Sequence, residues 1–373
     1  MKKKNILIID DSALMRRVLS DIINSDERFI VCDVASNGLE AYDKITLNPK
    51  LYDVILLDIN MPKMNGIEFM EEINRLKLNL TVIVVSTIAV EGAAETIRLL
   101  ELGAFDFVTK PNSFSEAKEN TFQDNVLAKL ACAAGFSGLE TYSRKKQSSA
   151  QVSKPKENET TPVNSLKETV ARKPHKAVGR DASKLVALAC STGGPKALQQ
   201  VVPRLPKSLD APMVIVQHMP VGFTETLASR LNEISEIKVK EATDGEPLLK
   251  GTVYIAKGGS QLRVKKKETG YVLAVTDEPA RNALRPWADI LYESLLESDF
   301  DDITCVVLTG MGRDGTVGIK QLNDKRNIYV IGQDAPSCTV YGMPRALFEA
   351  GLADVVVPLD EVADTIIKNV GVR

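Results

Sequence analysis

Short apolar runs recur along this chain, each closed by a polar residue and followed by apolar residues at helical spacing. Asn5-Ile6-Leu7-Ile8-Ile9 ends at Asp10-Asp11-Ser12, after which Leu14, Val18, Leu19, Ile22 and Ile23 fall on one helical face. Asp53-Val54-Ile55-Leu56-Leu57 ends at Asp58, Thr81-Val82-Ile83-Val84-Val85 at Ser86-Thr87, and Phe105-Asp106-Phe107-Val108 at Thr109-Lys110-Pro111. Strands apolar along their whole length, alternating with helices, predict a parallel sheet covered on both faces. Few other folds accommodate that pattern.

Parallel sheets collect functional groups at the carboxyl ends of their strands. Three carboxylates (Asp10, Asp11, Asp58), a hydroxyl (Ser86 or Thr87) and the ammonium of Lys110 are therefore expected around one crevice. Crowded carboxylates repel unless a cation sits among them, and hard oxygen ligands favour Mg²⁺. Any one aspartate alone reads as a helix cap or as the ion-pair partner of Lys110. Together, the five positions predict a place to receive a phosphoryl group.

The pattern then fades. Phe122, Val126, Leu127 and Leu130 still fit a helix, reached by a long approach through residues 112–120. From about Ser143 to Ser183 the chain is rich in Lys, Ser, Thr, Glu and Pro and cannot bury enough apolar surface to fold alone. The expected organisation is a first domain over 1–135, a flexible linker over 136–183 and a second α/β domain over 184–373.

In that second domain Leu185-Val186-Ala187-Leu188 leads into Ala189-Cys190-Ser191-Thr192-Gly193-Gly194-Pro195. Ser191 is either the N-cap of an ordinary strand-to-helix turn or a nucleophile at the lip of a sheet. The chain has two histidines; His175 lies in a polar stretch, whereas His218 follows the strand-like Met213–Gln217. Asp314 lies in Gly310-Met311-Gly312-Arg313-Asp314-Gly315, after the strand-like Thr304–Thr309. Serine, histidine and aspartate at three strand ends favour a Ser-His-Asp arrangement, which is recognised by role whatever the chain order. Cys190 points to the opposite face from Ser191 and is rejected as nucleophile. Further strands are expected at 252–256, 327–331 and 354–357. A hairpin is expected from 262–264 and 271–275, tipped by the polar 265–270. The order Ser, His, Asp, and the lack of G-x-S-x-G at Ser191, disfavour a standard α/β-hydrolase.

A net charge of −2 and no helix-turn-helix pattern give no reason to expect nucleic acid. No run approaches membrane-spanning length, and Asp10-Asp11 interrupt the first apolar residues too early for a signal peptide. Five scattered cysteines form no C-x-x-C pair. A cytoplasmic protein without membrane insertion is expected.

Two resemblances sharpen this reading. Asp10-Asp11, the segment Asp58-Ile59-Asn60-Met61-Pro62-Lys63-Met64-Asn65-Gly66, Ser86-Thr87 and Lys110-Pro111 resemble the receiver domain of response regulators. The resemblance implies a flavodoxin-like fold with Asp58 as phosphoacceptor. It implies Mg²⁺ held by Asp10, Asp11, Asp58 and the Asn60 carbonyl, Ser86 or Thr87 as phosphate-sensing hydroxyl, and Lys110 on the phosphate. Ser191-Thr192-Gly193-Gly194-Pro195, Gln217-His218-Met219, Gly310–Gly315 and Tyr341-Gly342-Met343-Pro344 resemble the catalytic domain of the chemotaxis protein-glutamate methylesterase family, CheB.

That second resemblance implies a doubly wound parallel α/β methylesterase domain. It would hydrolyse γ-glutamyl methyl esters on methyl-accepting chemotaxis receptors and deamidate receptor glutamines. The expected catalytic residues are Ser191, His218 and Asp314, with Thr192 and Met311 in the oxyanion region and no cofactor for ester hydrolysis. A chemotaxis histidine kinase is the implied phosphodonor. The alternative is a response regulator whose second half only binds. Arg281, Arg285 and Arg345 are candidate substrate contacts or solvated ion-paired residues, and Trp287 is expected to serve core or interdomain packing.

Overall fold

Each apolar run does become a strand. The computed structural model describes residues 2–87, 90–111, 120–136, 183–268 and 270–373. The approach at 112–119 and the linker over 137–182 lie outside the described residues.

In the first domain β1 (Lys4–Ile9), β2 (Phe29–Ala35), β3 (Val54–Asp58), β4 (Val82–Ser86) and β5 (Asp106–Thr109) form one sheet in the order β2-β1-β3-β4-β5. Every neighbouring pair is parallel. Helices α1 (Ala13–Asn24), α2 (Gly38–Leu47), α3 (Gly66–Arg75), α4 (Val90–Glu101) and α5 (Asn120–Ala133) connect and follow the strands. This is the doubly wound flavodoxin-like order. On one face Ile6, Ile8 and Leu56 pack with Leu19 and Ile23 of α1 and Val126 and Leu130 of α5. The cap of α1 is Ser12, whose hydroxyl accepts from Met15 N–H, so Asp10 and Asp11 are not consumed as caps. A capping box between Asn65 and Glu68 starts α3.

The second domain carries seven parallel strands in the order β14-β13-β12-β6-β7-β9-β8. They are β6 (Lys184–Cys190), β7 (Met213–Gln217), β8 (Lys238–Glu241), β9 (Thr252–Ile255), β12 (Asp302–Val307), β13 (Ile328–Gln333) and β14 (Val355–Val357). From β6 the chain first winds one way through β7, then returns to the other side of β6 at β12. That makes β6 a topological switch point, where an open sheet leaves a crevice. Helices α6 (Gly194–Val201), α7 (Phe223–Glu233), α8 (Ala288–Ser294), α9 (Thr316–Lys325), α10 (Met343–Glu349) and α11 (Leu359–Val370) complete the layers.

One expectation needs correcting, and strands β2 and β8 are not among those the sequence predicts. The hairpin is longer than read: β10 (Gln261–Lys267) and β11 (Gly270–Thr276) pair along their whole length, so Lys265, Lys266 and Lys267 are strand residues. Strand β8 went unread because Lys238-Val239-Lys240-Glu241 buries only Val239.

The two domains share a core. One apolar cluster runs from Val84, Ile97 and Phe107 to Leu198, Phe223 and Leu227 without interruption. Phe107 stacks on Phe223 with ring centroids 4.7 Å apart, and Arg230 Nε lies 2.7 Å from Glu101 Oε1. The face of the first domain that carries α4 and β5 thus covers the α6 and α7 side of the second. No helix among the described residues is long and apolar enough to cross a membrane.

Candidate active site and phosphoacceptor crevice

Ser191 leaves the carboxyl end of β6, and its N–H donates to Thr309 O at 3.0 Å. The N-cap reading of Ser191 does not hold. Helix α6 begins at Gly194, and its N-cap is Gly193 at φ +77, a conformation that strains any residue with a Cβ. Gly310 lies against the serine: a Cβ there would come 2.9 Å from Ser191 Cβ and 2.5 Å from Met343 Sδ. The Gly310–Met311 turn is therefore pressed onto the Ser191 loop, with Met311 half-buried beside it.

His218 leaves the neighbouring strand β7. Its Nε2 lies 2.7 Å from Asp314 Oδ2, with both side chains buried. Its other nitrogen, Nδ1, is buried and has no hydrogen-bond partner among the described residues. Asp314 is fixed from a third direction: Ala288 N–H donates to Oδ2 at 2.6 Å, Asp289 N–H to Oδ1 at 2.9 Å, and Gly315 N–H to Oδ1 at 2.8 Å. A carboxylate held by this many donors cannot turn away. With Asp314 receiving Nε2–H, the ring presents Nδ1 as its basic atom. His218 and Asp314 are thus in direct contact, while Ser191 stands at the same sheet edge without a hydrogen bond to the imidazole.

Several contacts around this edge were not legible. Gln217, 1% exposed, donates from Nε2 to Ser191 O at 3.0 Å and to His218 O at 3.1 Å, while its Oε1 accepts from Cys190 Sγ. One amide ties the two strand ends together. Burial pushes the Cys190 thiol far up, in keeping with its rejection as nucleophile. Thr192 donates to Asp106 Oδ2 of the first domain at 2.5 Å, and Lys129 Nζ lies 2.5 Å from the same oxygen. The available signal was a polar residue inside an otherwise apolar run, which both Asp106 and Gln217 are.

Trp287 is not simply packing: its indole stacks on His218, with centroids 5.7 Å apart and planes 7° from parallel. Arg281 pairs with Glu293 and Arg345 with Glu349, as solvated ion pairs do, and Arg285 is exposed.

Asp289 has a measurable consequence. It is buried, and that burial, with the Asp314 charge adding, pushes its carboxyl up to about 6, against the hydrogen bond from Gly318 N–H. A folded-state value above the unfolded one means that ionisation increasingly opposes folding as pH rises from about 4 to 6. Asp289→Asn keeps an oxygen for Gly318 and removes the charge. It is expected to raise apparent Tm at pH 7.5, by ~1–2 kcal/mol of stability, and to lose that advantage near pH 4. Thermal unfolding at both pH values checks this.

In the first domain Asp10, Asp11 and Asp58 offer carboxylate oxygens all within 4.8 Å of one another. Lys110 Nζ lies 2.9 Å from Asp10 Oδ2 and 2.7 Å from Asp58 Oδ2. Burial first, and then the charge of Asp10, push Asp58 up to about 6 against the pull of Lys110. Asp10 Oδ2 is buried and, apart from that ion pair, makes no hydrogen bond among the described residues. An all-oxygen, over-negative cluster of this kind fits a hard divalent cation. Ser86 is buried, accepts from Thr96 Oγ1 at 2.7 Å and donates to Gly92 O at 3.2 Å, so its hydroxyl is engaged within the β4–α4 segment. Thr87 is exposed, and the Asn60 side chain reaches Glu95.

Residues 186–366 match the family described as CheB methylesterase, and residues 6–121 match the response regulator receiver domain. The chain is 41% identical over 364 residues to the protein-glutamate methylesterase/protein-glutamine glutaminase of Bacillus subtilis, covering 97% of each. It is 40% identical over 375 residues to the protein of the same name from Geobacillus kaustophilus, covering 100% of each. The solved CheB methylesterase catalytic domain of Thermotoga maritima is 40% identical, with a TM-score of 0.49 over 50% of this chain and 98% of that one. Full-length identity at this level, with both family matches in the same order, means that the chain belongs to the CheB methylesterase family and carries a receiver domain ahead of its catalytic domain.

Proposed function

We propose that this chain is a phosphorylation-controlled protein-glutamate methylesterase that also deamidates glutamine, acting through Ser191, His218 and Asp314. The observation that carries the reading is the His218–Asp314 contact at 2.7 Å, which leaves a buried, unpartnered Nδ1 at the edge where Ser191 stands. An unpaired buried nitrogen costs a fold about 1–3 kcal/mol and calls for a reason.

In the proposed reaction Ser191 Oγ attacks the γ-ester carbonyl while His218 Nδ1 takes its proton. Asp314 keeps Nε2–H in place and stabilises the imidazolium. Backbone donors at Thr192 and in the Gly310–Met311 turn receive the oxyanion. The proton leaves with methanol, and water then releases the acyl group as a carboxylate. With glutamine as substrate, ammonia leaves in place of methanol. The relatives' shared name supports both activities.

In the receiver, Asp58 is the proposed phosphoacceptor, and Asp10, Asp11, Asp58 and the Asn60 carbonyl would hold Mg²⁺, which supplies charge neutralisation for phosphoryl transfer. Lys110 would shift from its two carboxylates to the phosphate, and Ser86, or Thr87, would turn toward it. Because the second domain's sheet edge and the phosphoacceptor crevice are separate, removing Mg²⁺ has a selective effect. A chelator is expected to abolish stimulation by acetyl phosphate while leaving basal methanol release unchanged.

The test of the whole reading is methanol release from methylated chemoreceptor membranes, with and without acetyl phosphate. Release that rises with phosphodonor supports both halves. No release under either condition sinks the esterase.

A further inference from the structure

We propose that Trp287 is a positioning residue for His218, holding the imidazole in the plane that the reaction needs. The inference rests on the Ser191-His218-Asp314 reading and deepens it. Nε2 must face Asp314 while Nδ1 faces Ser191, so a ring that tilts or flips loses both partners at once. Asp314 restrains one ring atom only. The indole, parallel to the imidazole within 7° and 5.7 Å away, restrains the plane.

The turn that carries the indole is itself anchored. The backbone N–H of Trp287 donates to Oε1 of the fully buried Gln261 at 2.8 Å, and Gln261 Nε2 donates in turn to Pro279 O at 3.2 Å. Trp287 is also the N-cap residue of α8, whose first two N–H groups bind the two oxygens of Asp314. A single turn therefore grips the aspartate through its backbone and the histidine through its side chain. Truncating the indole leaves the backbone grip in place, so the two contributions are separable.

The indole also acts on charge. As the Ser191 O–H bond breaks, an Nδ1–H bond forms and the ring becomes a cation; the proton then departs with the leaving methanol or ammonia. The His218 side chain is only 5% exposed, so little water is there to stabilise that cation. An aromatic face beside a desolvated cation does so, and more strongly than at a wet surface.

The experiment uses the full chain with Mg²⁺ and acetyl phosphate on methylated receptor membranes. Trp287→Ala is expected to lower kcat about tenfold with KM within about twofold, and Trp287→Phe to stay within about threefold of wild type. A second readout needs no turnover. The chain has two histidines, so His175→Gln leaves one imidazole for ¹⁵N-histidine NMR. With Trp287 present the ring should show one tautomer, protonated at Nε2; Trp287→Ala should average the two nitrogens. Unchanged kcat in Trp287→Ala, equal losses in the alanine and phenylalanine variants, or an unaltered ring spectrum would each overturn the proposal. Ser191→Ala and His218→Gln, run alongside, separate the failures. Activity surviving in those two sinks the triad reading, whereas activity lost there but kept in Trp287→Ala sinks this inference alone.

Discussion

Ser191→Ala is expected to lower methanol release by about 10⁴-fold or more, with KM and thermal stability nearly unchanged. The hydroxyl is the only atom removed, and the loop around it is held by other groups: Thr309 O, Gln217 Nε2 and the close approach of Gly310. Loss of activity with an intact fold isolates the nucleophile. Asp314→Asn is expected to fall nearly as far. The amide still accepts from Ala288 or Asp289 N–H, but it presents one oxygen in place of two, and Nε2–H loses its anionic partner. Residues that act as a unit are non-additive, so combining Asp314→Asn with Ser191→Ala should cost no more than Ser191→Ala alone. If Ser191→Ala kept a tenth of wild-type release, the serine would not be the nucleophile, and the sheet edge would need another chemistry.

The residues of this site stood out in the sequence because a parallel sheet puts function where strands end. Ser191, His218, Asp314, Asp10, Asp58 and Lys110 each follow an apolar run, and the pattern that builds the core also marks the crevice. What escaped depends on approach between segments distant in the chain. Trp287 looks like packing until β7 brings His218 beneath its ring. Asp106 looks like a polar interruption until Thr192, 86 positions away, donates to it. Strand β8 escaped for a local reason: an edge strand with alternating charges carries too little apolar signal. Neither period nor composition reports that one apolar cluster joins both domains, since Phe107 and Phe223 each satisfy their own element's pattern first.

That shared interface makes the second large effect. Opening the contact between the receiver and the Ser191 loop is expected to raise basal methanol release about tenfold or more, without phosphodonor. Asp106 accepts from Thr192, the residue after Ser191, and this buried hydrogen bond to a carboxylate contributes about 1.5–3 kcal/mol. The Arg230–Glu101 pair is more exposed and contributes less, about 1 kcal/mol at most. Asp106→Ala and Arg230→Glu leave Ser191, His218 and Asp314 untouched, so a gain in activity reports access to the site together with release of Thr192 from its contact with the receiver. Arg230→Glu alone should give a few-fold rise, and the pair of changes the larger one. Phosphorylation at Asp58 would favour the same opening, and coupling between two sites is reciprocal. The variants that raise basal release should therefore be stimulated less by acetyl phosphate, and Asp58→Asn should not be stimulated at all. Basal release that stays flat or falls in folded Asp106→Ala and Arg230→Glu proteins would mean that the receiver supports the active site and does not restrain it.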